Sequence, residues 1–410
     1  MDRRGLGFAT ILLLSGCARV QHVDGGRLSD AYDPATALDR HVRTCEIDPG
    51  RCPRADRLRL DLERGFLAHA AGDRDAAYAR LSALLDVEPF WTPTADPETV
   101  ARRAYAVAPE PYRPLVTETL AGLGWAMLAA AERGDDAAAA RAAVRFSELR
   151  ERLYDARDRS EHGAFASYVA GQIFERMGRR PVARAYFREV LATRESLLAR
   201  AALARTEDAQ DPVANAYLAM PRPTSTGTDV GYSRIVVVVG VGHVPPLRPE
   251  RLPVAFARTL AGPYVDALGI ADRVDELEAM GVSEVVVPDL APVQRSKDTP
   301  VLWVDDHRIR LERLSDLAAE LEAEARGLRR LSAAAALLRA VQGQDPTFLR
   351  APDTRSVTTL PAQVYAAELD LPPGLHQVRA EVASSSGSRR AATAVRTADR
   401  DVAVVGLTVL

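Results

Sequence analysis

YVAGQIFERMGRRPVARAYFREV, residues 168–190, places apolar residues at helical spacing on both sides of one glycine, Gly178. Apolar positions recurring every three and four residues mark a helix with one buried face. A glycine between two such runs ends the first helix and allows the chain to turn. The same pattern stands twice upstream, in GFLAHAAGDRDAAYARLSALL (65–85) and MLAAAERGDDAAAARAAVRFSEL (127–149). When Gly72, Gly134 and Gly178 are aligned, Ala77, Ala139 and Ala183 follow five residues later. Leu81, Ala143 and Phe187 come next, then Leu84, Phe146 and Val190. Seven residues before each glycine stand Gly65, Met127 and Gly171. Small or flexible residues at these places let two paired helices approach closely. The spacing predicts an array of helical hairpins over residues 56–205.

This pattern resembles the tetratricopeptide repeat, although the glycines lie 62 and then 44 residues apart instead of near a period of 34. Pro89 falls where that repeat often ends, and the proline-rich stretch from Pro89 to Pro114 reads as an insertion. Single hairpins cannot bury their faces alone, so they stack, and the stacked surface of such arrays binds peptide segments or proteins. The other role open to the array is support of its neighbour.

A change of composition follows. Residues 206–231 form a linker around Pro221, Pro223, Gly227 and Gly231, and a second region covers 232–410. RIVVVVGV (234–241) reads as a buried strand, and SEVVVPDL, VLWVDD and AVVGLTVL as further strands. Leu311, Leu314, Ala318, Leu321, Ala325, Leu328, Leu331, Ala335 and Leu338 predict one long amphipathic helix. After it, turns at Pro372-Pro373-Gly374 and Ser384–Gly387 separate strands of alternating character. The expected fold class is therefore multidomain: an N-terminal α-helical, tetratricopeptide-like repeat array, then a mixed α/β domain ending in antiparallel β-strands.

The N-terminus carries an address. Arg3 and Arg4 precede an apolar run from Leu6 to Leu14, about half the length needed to span a bilayer. Leu14-Ser15-Gly16-Cys17 then resembles the lipobox of bacterial lipoproteins. Residues 1–16 are expected to be a signal peptide and Cys17 the lipidated N-terminus. Two or three acyl chains anchor stably, whereas one is marginal. Ala18 stands where Asp retains such lipoproteins at the inner membrane, so the expected place is the periplasmic face of the outer membrane. In the following segment, 17–55, Cys45 and Cys52 flank Asp48-Pro49-Gly50. In an oxidising compartment a structural disulfide is expected; free thiols or a redox or metal pair are the alternatives.

Chemistry is otherwise sparse. A formal net charge of -3 without a basic cluster argues against a nucleic-acid surface. Gly240 and Gly242 follow a strand, but Pro245 and Pro246 oppose the helix that a dinucleotide site needs. Asp305, Asp306 and His307 stand together, yet neighbouring strand residues point to opposite faces, so a turn or helix cap is the simpler reading. No catalytic residue, metal site or cofactor is expected.

The lipobox, the helical hairpins, GVGHVPPLRPERLPV and the stretch DTRSVTTLPAQVYAAELDLPPGLHQV, in this order, resemble one family of Gram-negative envelope lipoproteins. That resemblance implies location and architecture and transfers no catalytic residue. The expected function is a non-enzymatic scaffold or regulator that binds envelope proteins or peptide segments through the repeats. The alternative is a protein that binds or acts on peptidoglycan through its C-terminal domain.

Overall fold

The computed structural model describes residues 27–28, 31–89, 96–106, 110–154, 162–208, 231–292, 299–343, 352–384, 387–398 and 402–410. The signal peptide, Cys17 and most of the expected linker lie outside them.

Helix α1 (Pro34–Ile47) precedes three helical hairpins: α2 (Arg57–Ala70) with α3 (Arg74–Leu81), α5 (Val116–Glu132) with α6 (Asp136–Leu153), and α7 (Ala164–Arg176) with α8 (Arg180–Thr193). Helix α4 (Pro97–Ala104) lies between the first two hairpins, within the stretch read as an insertion, and α9 (Leu197–Thr206) ends the array. All three hairpins turn the same way. Gly72, Gly134 and Gly178 have φ of 88°, 75° and 73°. In that left-handed conformation a side chain is costly and glycine is not. The next residue's N–H reaches back to close each turn: Asp73 to the Ala68 carbonyl, Asp135 to Ala130 and Arg179 to Phe174. Asp73 and Asp135 then cap the following helix by accepting the Ala76 and Ala138 N–H groups at 2.9 Å each.

Ala77, Ala139 and Ala183 are fully buried between the paired helices. A Cβ on Gly171 would overlap the Phe187 ring, and one on Gly65 would stand 2.9 Å from Leu81. Overpacking such a contact costs about 1–3 kcal/mol. Ala183→Leu and Ala139→Leu are therefore each expected to lower the melting temperature of the whole protein. Arg179→Ala, at an exposed turn, should change stability by no more than about 0.5 kcal/mol. Differential scanning calorimetry of the three variants checks this.

The remaining strands are β1 (Ser233–Val241), β2 (Leu247–Pro253), β3 (Glu284–Leu290), β4 (Val301–Val304), β5 (His307–Ile309), β6 (Glu312–Asp316), β7 (Gln363–Leu371), β8 (Gly374–Ser384), β9 (Gly387–Thr397) and β10 (Val402–Val409). The central sheet has the order β10-β1-β7-β6, with β10 parallel and β7 antiparallel to β1. A second sheet has the order β5-β4-β8-β9. Strand β1 is buried on both faces, which explains its unbroken valine run. Val236 and Val238 face the helices, while Ile235, Val237 and Val239 face the second sheet. The last strands thus divide between two sheets, and the final one pairs in parallel.

Helices α5 and α7 lie between the central sheet and their partners α6 and α8. They are buried along nearly their whole length, whereas α6 and α8 bury one face. One apolar core runs from Leu62 and Trp125 through Val236, Val238 and Val404. It crosses the expected domain boundary without a break.

The long helix is α13, Leu317–Val341. Its start differs from expectation. Leu311 and Leu314 continue the three-and-four spacing, but β6 pairs with β7 here, and the Asp316 carboxylate caps the helix by accepting the Ala319 N–H. Strand pairing and a cap outweigh periodicity at the end of an element. Between β2 and β3 the chain adds α10 (Val254–Leu260), α11 (Gly262–Ala267) and α12 (Ala271–Ala279), which pack against α13. These helices, α1 and α4 were not legible in the sequence pattern.

Candidate functional site

Cys45 and Cys52 are joined in a disulfide with Cα atoms 5.3 Å apart, a normal span for such a bond. It closes a turn in which the Gly50 N–H donates to the Asp48 carboxylate at 3.1 Å. Neither cysteine is near a set of metal ligands. Among the described residues no group of three or more His, Cys, Asp or Glu could hold a metal ion.

Of the residues read as hairpin packing positions, Ala77, Ala139, Gly171 and Ala183 lie where helices meet, whereas Gly72, Gly134 and Gly178 turn the chain with nothing packed within 4 Å of where a side chain would start. The inner face of the array, built from α2, α5 and α7, meets the protein's own C-terminal region. An extended segment, residues 352–362, crosses the first hairpin. The Asp353 N–H donates to the Ala104 carbonyl at 2.9 Å, and the Val357 N–H to Glu118 at 2.7 Å. Thr358 donates to Glu63 through its hydroxyl at 2.9 Å. Arg355 bonds Asp353, Asp56 and the carbonyls of Ala55 and Glu110. Beneath it, Glu63 pairs with Arg59 at 3.1 Å and accepts from His41 at 2.9 Å.

A second set of contacts fastens the helix N-termini. The first N–H groups of a helix have no partner within it, and the helix dipole favours a carboxylate there. Glu324 of α13 accepts Val116 and Thr117 at the start of α5, at 2.8 and 2.9 Å. Glu320 accepts Gly163 ahead of α7, and Glu312 of β6 accepts Leu197 and Leu198 of α9. Burial pushes Glu320 up to about 8 and Glu118 up to about 7; the hydrogen bonds to each carboxylate oppose that rise without reversing it. Folded Glu320 therefore keeps a proton that the unfolded chain has released. That stabilisation is complete below the ordinary carboxylate value and is lost as pH rises through about 8. Stability should fall by about 1 kcal/mol from Glu320 alone between pH 7 and 9. Denaturant unfolding across that range should show the decline, and Glu320→Gln should flatten it.

A third network joins hairpins to sheet. His69 is buried; its Nε2 donates to Glu132 at 3.0 Å, and its Nδ1 accepts from the Thr408 hydroxyl at 3.0 Å. Burial holds its pKa below the ordinary imidazole value, which keeps the ring neutral. Arg74 pairs with Glu132 at 3.0 Å and donates to the carbonyls of His69 and Gly406. Hydroxyl, imidazole and carboxylate in line have the order of a nucleophile–base–acid relay. Thr408 is only 3% exposed, however, and the nearby groove is lined by β10 residues only from Val402 to Val405. The network ties α2 and α5 to β10.

Gly406 explains the close approach. A Cβ there would stand 2.6 Å from Leu128 and 2.7 Å from the His69 ring. Gly240 serves the same purpose beneath Trp125 and Pro361, so its place after a strand reflects packing. Asp305 turns the β4–β5 hairpin with φ of 53°, and its carboxylate takes the Gln377 N–H and His376. It does not converge with Asp306 and His307 on a site.

A groove beside this network reaches both halves of the fold. It measures about 560 Å³ and lies between the turns at Gly72 and Gly134, the end of β9 and the outer edge of β10. Arg74 and Arg176 line it, already paired with Glu132 and Asp136. Arg396 lines it without an ion pair among the described residues.

No family model, curated protein or solved structure matches this chain. The groove residues and the network beside them escape sequence reasoning because they converge only on folding. His69 and Thr408 are 339 positions apart.

Proposed function

We propose that this chain is a lipid-anchored envelope protein, held by Cys17 at the periplasmic face of the outer membrane, that works by binding other proteins and not by catalysis. The three hairpins, with shared left-handed turn glycines and buried alanines, support a tetratricopeptide-like array. In such arrays the inner face receives the partner; here the protein's own sheet and its 352–362 segment take that place. Binding therefore moves to the groove where the hairpin turns meet the edge of β10, and that groove carries the proposal.

A photo-crosslinking residue in place of Arg396, in cells, tests the function. A crosslink to an envelope protein supports it. Binding of the purified protein to sacculi, with no protein crosslink from any surface position, would favour the peptidoglycan alternative. The anchor has its own test. Cys17→Ser is expected to abolish palmitate labelling and release the protein from the outer-membrane fraction. Continued labelling would refute the assignment.

A further inference from the structure

We infer that the outer face of the second sheet lies against an anionic lipid bilayer, so that the protein is held by its lipid and by one sheet face at once. This goes beyond the binding groove and rests on the anchored location proposed above. The first observation is the alternation along the strands. Leu302, Val304, Val378 and Ala380 turn to the core between the two sheets. Their neighbours Trp303, Gln377 and Arg379, and with them Leu375, therefore turn the other way. Residues directly opposite on paired strands share a face, so Arg308 joins Trp303, and Arg390 joins Glu381. Arg308, Leu375, Gln377, Arg379 and Arg390 are exposed, Leu375 by 60%.

The second observation is what this face carries. Arginines come from three of its four strands: Arg308 of β5, Arg379 of β8 and Arg390 of β9. Glu381 is the one acidic side chain on the face among the described strand residues, and it pairs with Arg379 at 3.3 Å. Arg308 and Arg390 have no ion pair among the described residues. The Arg379 guanidinium lies 5.8 Å from the centre of the Trp303 ring. The whole chain has a formal charge of -3, so this face is opposite in sign to the molecule that bears it.

The mixture selects a bilayer. The face spans three strand spacings, about 14 Å, and about 20 Å along β8, which suits many phosphates side by side better than a single one. Tryptophan beside arginine is the composition of a membrane interface, where the ring sits at headgroup level. Leu375 gains an apolar surrounding there, whereas an acidic peptide or a nucleic acid would use the arginines and leave it in water. The lipid on Cys17 keeps the bilayer within reach, so a few arginines, worth about fivefold each near an anionic surface, are enough. Arg396 stands opposite Leu375 and also lines the groove. It is left unchanged in the test below, so that the two sites are read separately.

Pelleting of the mature chain with vesicles tests the inference, with Cys17→Ser so that no acyl chain contributes. The protein should bind vesicles of phosphatidylglycerol and phosphatidylcholine in equal parts, and not vesicles of phosphatidylcholine alone. Arg308→Gln together with Arg390→Gln should weaken binding at least about tenfold, with the melting temperature unchanged because both side chains are exposed. Soluble glycerol phosphate at the same phosphate concentration should not compete. A solvent-sensitive dye on Leu375→Cys should shift to the blue on vesicles. The same dye on Val144→Cys, exposed on α6 at the opposite side of the layers, should not. Equal binding by the double variant, full competition by glycerol phosphate, an unshifted dye at Leu375, or pelleting with purified sacculi but not with vesicles would each overturn it. The anchor is read separately: palmitate labelling of the parent chain without vesicle binding by the unacylated one leaves Cys17 as the anchor and removes only this face.

Discussion

Trp125→Ala is expected to lower the unfolding free energy by about 3–5 kcal/mol, the range for removing a large buried aromatic. Trp125 is fully buried on α5 and touches three elements at once. Its ring meets His69 of α2 edge-on with centroids 4.8 Å apart, and Phe165 of α7 at 5.5 Å. It also covers β1 where Gly240 leaves room. Alanine would open a cavity at the joint between two hairpins and the central sheet. Because one core spans that joint, both halves should lose stability together. Urea unfolding followed by far-UV circular dichroism and by the remaining tryptophans should give one shifted transition. A variant whose helices unfold early while the sheets keep the original midpoint would contradict the shared core.

Glu63→Ala should have an effect of similar size. Glu63 is fully buried and serves Arg59, His41 and Thr358. Arg59 is also buried and shares Asp56 with Arg355. Removing one member of a buried ion network leaves a charge without its partner, at about 3–5 kcal/mol. Arg64 donates to His41 Nδ1, so the His41 proton is on Nε2 and points at Glu63. That donor would be stranded as well. Glu63→Gln keeps an acceptor oxygen and should cost less. Thermal unfolding ranks the variants. Trypsin cleavage at Arg355 should accelerate in Glu63→Ala, because the 352–362 segment loses its contact with the first hairpin. Equal cleavage rates in both variants and the parent would show that this segment is held by other contacts.

These networks also bear on how binding should be mapped. Deleting residues 56–205 would strip one wall from the central sheet and leave Val236, Val238 and Val404 facing water. Loss of a partner on truncation would then report unfolding. Point changes at exposed groove residues such as Arg396 separate the two.

Local pattern was enough to reveal the hairpins, their turn glycines and the buried β1. Each depends on residues close in the chain: a glycine at left-handed φ, alanines at helical spacing, a run of valines. The start of α13 was misread because β6 adopts strand pairing within a stretch whose spacing also suits a helix. Residues at β2 also gave no clear signal, since Pro249 and Pro253 lie within that two-stranded ribbon.

The sequence by itself determined that an all-helical half precedes a mixed half ending in strands, that the first helices pair around glycine turns, and that the N-terminus resembles a lipoprotein address. Those conclusions follow from periodicity and composition, which act over a few residues. Only the tertiary structure decided that the hairpins close on the protein's own sheet, that three glutamates from β6 and α13 fasten helix N-termini, and that β10 ends the central sheet among the described strands, beside the hairpin turns. The physical reason is the same in each case. A helix end needs an acceptor and a strand edge needs a neighbour, but backbone chemistry does not specify which distant residue supplies it.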